Sequence, residues 1–434
     1  MDDVGNRQDS DEKDDEIYEG EITKAEKDNL KFDDTETCFA EVDEEQDMQI
    51  AMAIIAKSRG IEIRVANPTE KKGGLMSKNY HVYEIIGSDK IGEIKVFRRY
   101  TEFEAVRRKL KENWPGIFIP AIPDKSVKNS DQKVIQERLL FLDHFVKKCA
   151  RMDHIYYSEE FQIFLRSAGP SDEVIKALNG FPARTCATIY NQYRILFPDF
   201  DETVTKDKED QISKRIACLK TTLSEVITMR TTLKVMMFYR KDLQNLKGEF
   251  TKYIAKEAVN KIESEAEQEE CKQLVRDYAE VEKIDDLTIL NNNLKILKKD
   301  IESFFLITND LSFVFRSIGE STSIIQSTTK DLSMLKSLDK EVISEGLFKK
   351  VNRNDKIREL ERNQEMAKDE LSSAQALRGL IFNMLERQEI PLILYVKNQC
   401  IADGFVELAS KRRKCLEKEE EALKRLADVL PISA

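Results

Sequence analysis

Between residues 61 and 97 the chain alternates. IEIRVANP and IGEIKVF place apolar side chains at every second position, and NYHVYEIIG between them is rich in β-branched and aromatic residues. Glycine-containing turns, Gly73-Gly74 and GSDKIG, separate the three runs. A period of two broken by tight turns predicts a small three-stranded antiparallel sheet. At IKVFRRYTEF the period changes. Phe103, Val106 and Leu110 recur at helical spacing, and Thr101 with Glu104 forms a capping box that opens a helix over 101–113. Arg99 and Tyr100 then stand just outside a helix N-terminus, where free amides and the macrodipole favour an anion. The proline-rich NWPGIFIPAIPDK (113–125) ends this helix. Asp131 can cap the next one, with Ile135, Leu139, Leu142 and Val146 as its stripe, and a last helix at about 158–167 precedes Gly169-Pro170. The elements from 58 to 170 make one compact α+β domain.

A different pattern follows. Between Pro198 and Pro391 there is no proline in 192 residues, and proline inside a helix costs about 3 kcal/mol, so the span favours long helices. Ile212, Ile216, Leu219, Leu223, Val226, Leu233, Met237, Leu246, Phe250 and Tyr253 keep a spacing of three or four. Leu287 to Phe305 and Ile357 to Leu385 repeat it. Breaks near 264–284 and 337–355 predict three antiparallel helices over 201–434. At about 50–60 residues each they would reach roughly 75–90 Å. Such a bundle is elongated, and an exposed apolar seam on it invites dimerisation.

Charge is unevenly placed. Residues 1–50 hold 20 acidic against 5 basic groups, whereas 58–170 hold 21 basic against 15 acidic. The first 57 residues are therefore expected to be a disordered acidic tail, with the apolar island MQIAMAIIAK (48–57) either a helical interaction motif or a lead-in to the domain. Seven scattered cysteines without a CxxC pair fit a reducing compartment, and His81, His144 and His154 lack metal-ligand spacing, so no metal site is assigned. The acidic N-terminus has no apolar signal core, and no apolar run approaches the roughly 18–20 residues a membrane span requires. Membrane contact is expected to be peripheral.

VANPTEKKGGLMSKNYHVYEI, then RRYTEF, then a proline loop ending in lysine, then IQERLLFLDHFV together resemble a phox-homology (PX) domain, and the first segment resembles the retromer-associated sorting nexins. A PX domain followed by about 230 residues of long helices is similar to a PX-BAR sorting nexin. That resemblance implies an α+β PX domain followed by an all-α elongated three-helix BAR-like bundle. It also implies a headgroup site for phosphatidylinositol 3-phosphate. Arg99 matches the family arginine on the 3-phosphate, and a guanidinium grips phosphate oxygens bidentately. Tyr100 matches the aromatic under the inositol ring, Lys125 the lysine on the linking phosphate, and Arg138 the arginine on the ring hydroxyls. Taken one at a time, these are a surface arginine, a core aromatic, a loop lysine and a solvated helix residue. Two departures stand out: Pro120-Ala121 replaces a double proline, and SVKNSD after Lys125 is short and almost without apolar residues.

Further contacts stay open. Ile117, Phe118 and Ile119 either enter a bilayer or pack within the proline loop. Lys349, Lys350, Arg353, Lys356 and Arg358 near the expected bundle tip are either phospholipid contacts or the polar face of a helix hairpin, and the same alternatives hold for KRRK at 411–414. The stretch 171–200 links the modules, with Ile189, Tyr193, Leu196 and Phe197 on one helical side. It is either a membrane-inserting amphipathic helix or packs on the bundle. The resemblance implies a cytoplasmic protein peripheral on endosomal membranes that senses or generates curvature for cargo sorting and retrograde transport. Its implied partners are a second copy or a related sorting nexin, and a retromer-like complex. The alternative is a PX-coiled-coil scaffold or tether that binds the same lipid without bending membranes. The chain has no phosphate loop, HEXXH or His/Cys nucleophile pattern, so no enzyme activity and no cofactor are expected. The acidic balance argues against nucleic acid.

Overall fold

The computed structural model describes residues 44–57, 61–72, 79–125, 131–260, 262–282, 287–337, 342–345 and 349–429. Three strands, β1 (Ile63–Lys71), β2 (Tyr80–Asp89) and β3 (Gly92–Arg99), form an antiparallel sheet in the order β1-β2-β3. The β2–β3 turn is tied by Asp89, whose carboxylate accepts the amides of Ile91 (2.8 Å) and Gly92 (3.2 Å), and Gly92 takes the positive φ this turn demands. β1 carries an irregularity between Ala66 and Thr69, where Asn67 adopts a positive φ and its amide reaches Glu84 at 2.6 Å. The expected turn at Gly73-Gly74 lies outside the described residues, as does SVKNSD up to Ser130.

Helices α2 (Tyr100–Asn113), α3 (Gln132–Ala150), the short α4 (Asp153–Tyr156) and α5 (Glu159–Arg166) cover the sheet. Asp131 caps α3 through the Lys133 amide (2.8 Å), and Ser158 caps α5. The cap of α2 differs from the expected Thr101/Glu104 box. The strand runs on to Arg99, so the helix starts at Tyr100, and Glu102 accepts the Arg99 amide at 2.7 Å. In the core Phe103 meets Phe145 and Phe164, and Phe145 meets Phe161, edge to face with ring centroids 4.9–6.4 Å apart, while Phe161 lies tilted on Phe164 at 5.9 Å.

The helical region is built from α8 (Lys206–Val259), α9 (Glu265–Glu282), α10 (Leu287–Lys336), a small hairpin of β4 (Val342–Glu345) and β5 (Lys349–Asn352), α11 (Arg353–Met384), a π-helical turn Leu385–Glu389, and α12 (Ile390–Val429). The expected gap at 264–284 is thus largely helix α9. It buries Cys271, Leu274 and Val275, and its dense charge hides the period. The tip near 337–355 is a β-hairpin in part, not a plain helix turn. Pro391 does not end the last helix. The wider π turn before it takes up the missing amide and the ring's clash with the preceding turn.

Two segments whose roles the sequence leaves open are docked. Residues 44–57 of the supposed acidic tail form α1 (Glu44–Lys57), which packs on α12, buries Ala51 and pairs Asp47 with Arg215. Residues 1–43 lie outside the described part. The stretch 171–200 folds as α6 (Ser171–Asn179) and α7 (Cys186–Leu196). Val174 and Leu178 of α6 and Ile189 and Tyr193 of α7 are buried, α7 packs on α11, and its exposed large apolar residues are Ile195 and Leu196 at its end. Ile189 and Tyr193 of the apolar side that could have entered a bilayer are instead buried within the protein.

One continuous core joins the modules, running from Phe103 and Trp114 through Tyr193 to Phe304, Leu377 and Ile381. The proline loop is part of it. Ile117, Phe118 and Ile119 are buried, and Phe118 lies 6.2 Å from the Phe304 ring. Gly116 has φ 86°, and a Cβ there would come within 2.5 Å of Ile381, so glycine alone meets both demands. The Phe118 amide donates to Glu389 at 3.1 Å, and Gln388 donates to the other carboxylate oxygen at 2.9 Å. Burial pushes the Glu389 carboxyl up to about 7 against those two hydrogen bonds. A carboxyl raised in the folded state favours folding at low pH, and that contribution is lost as pH rises through its folded pKa. Glu389→Gln is therefore expected to raise the melting temperature at pH 8 by more than at pH 5, read by thermal unfolding at the two pH values.

Candidate functional site

The two arginines of RRY have opposite fates because strand residues alternate between faces. Arg98 turns inward and is 2% exposed. Its guanidinium donates to the carbonyls of Phe164 (2.6 Å), Ser167 (2.6 Å) and Phe97 (3.1 Å), and Glu102 lies 3.6 Å away. Arg98 thereby ties the last strand to the end of α5. Arg99 turns the other way, and its guanidinium carbon sits 3.8 Å from the centre of the Tyr80 ring. Arginine has no acceptor atom, so no side-chain bond caps the first amides of α2. A guanidinium and a helix N-terminus thus stand together, a combination suited to a phosphate group.

Tyr100, the first residue of α2, is buried to 9% exposure, and its hydroxyl donates to the Pro123 carbonyl. Burial, assisted by Glu104, raises its pKa well above the usual phenol range and keeps that donor protonated. Arg138 projects from α3 with 6% exposure, and its guanidinium carbon lies 4.7 Å from the centre of the Tyr100 ring. Lys125 is exposed, two residues beyond the carbonyl that holds Tyr100. The structure therefore joins Tyr100 to Arg138 and to the proline loop, sets Arg99 beside Tyr100 at the helix start, and leaves Lys125 at the loop's end.

Tyr80 was not legible as a site residue, since it reads as one more strand aromatic. The signal was the strand register: Val82 pairs with Arg99, so Tyr80, two residues earlier on the same face, falls under the guanidinium. A stacked guanidinium keeps fewer orientations and loses less freedom on binding. Trp114 is 3% exposed, donates to Glu160 at 2.8 Å and stacks on Tyr193 at 6.0 Å. A separate open cleft of about 540 Å³, lined by Trp114, His154, Tyr157, Arg184 and Phe197 among others, holds none of the four residues. No cluster able to hold a metal is found among the described residues.

The other candidates lie on the helical region. Lys349 and Lys350 are on β5, with side chains outside the described part. Arg353 opens α11, Lys356 pairs with Glu359 (2.9 Å), and Arg358, 80% exposed, is 3.7 Å from Asp355. In KRRK, Arg413 is 3.6 Å from Glu417. Helix α8 leaves Phe238, Tyr239, Leu243, Leu246, Phe250 and Tyr253 exposed, an apolar band of the kind that marks a protein interface. No helix among the described residues is long and apolar enough to cross a membrane.

Comparison with known proteins agrees with this layout. The PX domain family matches residues 88–168. Sorting nexin 1 of Arabidopsis thaliana is 30% identical over 115 residues, 25% of this chain and 28% of that protein. Sorting nexin-41 of Yarrowia lipolytica (strain CLIB 122 / E 150) is 28% identical over 127 residues, 27% of this chain and 21% of that protein. The matched stretch thus spans about a quarter of the length of these relatives. The fold extends further. The cryo-EM structure of the SNX-BAR Mvp1 tetramer covers 84% of this chain and 99% of its own, with a TM-score of 0.53 at 13% identity. The chain thus carries a PX domain in its first half and, over most of its length, shares the fold of a SNX-BAR structure.

Proposed function

We propose that the protein is a peripheral membrane protein that recognises phosphatidylinositol 3-phosphate and, as a dimer, senses or generates curvature for endosomal cargo sorting and retrograde transport. The observation that carries this reading is the meeting of Arg99, the start of α2 and the Arg138-covered Tyr100 ring. In this reading the Arg99 guanidinium forks onto the 3-phosphate, the inositol rests against Tyr100, Arg138 donates to ring hydroxyls and Lys125 meets the linking phosphate. One headgroup site gives modest membrane affinity. Dimerisation through a helical face such as the α8 band would let two sites share one surface and raise the effective concentration of the second. The dimer partner is a second copy or a related nexin, and a retromer-like complex would supply cargo. The function requires no covalent chemistry. The ion pairs of Lys356 and Arg358 with neighbouring acids favour a second reading, a tether that binds the same lipid without bending it. Purified protein on liposomes containing the lipid separates the two: tubules support the first reading, smooth coated vesicles the second.

Three outcomes follow. Arg99→Ala is expected to weaken flotation with phosphatidylinositol 3-phosphate liposomes by more than about tenfold, the loss of charge-assisted phosphate bonds, at an unchanged melting temperature. Arg98→Ala should instead lower the melting temperature, because three carbonyls, that of Phe164 in a buried bond, and the buried Glu102 lose their partner. Reversing Lys349 and Lys350 to glutamate is expected to reduce tubulation in electron micrographs while leaving lipid preference intact.

A further inference from the structure

The segments that would hold the headgroup are all braced from one side by a helix of the other module. Within little more than one turn, α10 presents Lys299, Asp300 and Ser303. Ser303 donates to the Ile119 carbonyl (3.1 Å) and accepts from Arg107 (2.7 Å), which itself donates to the Pro120 carbonyl at 2.7 Å. Asp300, 1% exposed, accepts the Ala121 amide (3.4 Å) and lies 2.7 Å from His144 Nε2. Lys299 meets Asp124 at 2.9 Å. One turn earlier, Lys295 meets Glu137, the neighbour of Arg138, at 2.7 Å. Helix α2 with Tyr100, the loop with Lys125, and α3 with Arg138 are therefore each bonded to α10.

We infer that Lys299, Asp300 and Ser303 are positioning residues of the headgroup site, supplied by the helical domain to the PX domain. Lys299 has a second task. Asp124 precedes Lys125, and an unpaired carboxylate there would repel the phosphate that Lys125 is to meet. The ammonium of Lys299 offsets that charge and also fixes the loop's end. The inference rests on the headgroup reading above and deepens it, since lipid affinity then depends on a helix that touches no lipid. In the PX domain taken alone, the loop would lack its floor.

The test uses the full chain and phosphatidylcholine vesicles with either phosphatidylinositol 3-phosphate or unphosphorylated phosphatidylinositol, read by flotation, with mass measured in parallel by sedimentation. Lys299→Ala should weaken binding to the phosphorylated lipid by up to about fivefold, the scale of a largely exposed ion pair. Asp124→Asn should bind more tightly than the wild type, and the double variant should recover to at least the wild-type level. A residue that merely stabilised the fold would show no such rescue. Ser303→Ala should weaken binding at unchanged mass and melting temperature. If Lys299→Ala and Ser303→Ala bind like the wild type while Arg99→Ala fails, the positioning role is wrong and the headgroup reading stands. If Arg99→Ala also binds normally, both are wrong.

Discussion

The alternation of a single strand decides what this surface can do. Successive residues of β3 must point to opposite faces, so a pair of adjacent arginines cannot share one task. Arg98 is drawn into the domain, where its planar fork satisfies carbonyls at the end of α5 that would otherwise be unmet in the core. That inward anchor holds the strand's last residue, and with it the start of α2, in a fixed place. Arg99 can then be presented outward on a rigid base, backed by the Tyr80 ring. A recognition site on a loop would give up much of its affinity to ordering. In the proposed reading of Arg99, the ordering is done in advance by a buried guanidinium.

Much of this was written in the local pattern. The three strands follow from alternation and glycine turns. Asp131 was legible as a cap because an acidic residue stands directly before a helical stripe. What escaped depends on partners distant in the chain. The sequence holds both Thr101-x-x-Glu104 and Arg99-x-x-Glu102, and only the length of β3 chooses the second. Tyr80 meets Arg99 through strand register, which local spacing does not reveal. Helix α9 escaped because six glutamates crowd its polar face and obscure a narrow apolar seam. The docking of α1 was hidden by the acidic composition around it, although Ala51 buries as fully as any core residue.

The junction between the modules is covalently short but physically broad. The stretch 171–200, open between membrane insertion and packing, is the mortar between them, with α6 against α2 and α7 against α11. Gly116 marks how close the approach is, since Ile381 fills the space that any side chain would need. The same closeness makes the buried Glu389 and Asp300 tolerable, because each finds backbone amides or a histidine from the opposite module. Polar groups buried between two modules favour one docking geometry over many, since a sliding interface would leave them without partners.

Trp114 is the chain's one tryptophan, and it lies where that mortar begins, bonded to Glu160 of the PX domain and stacked on Tyr193 of the linker. Its emission therefore belongs to a single, known environment. Any parting of the two modules would wet the indole and shift its colour, so the native protein carries an optical gauge of its own junction, with no label attached.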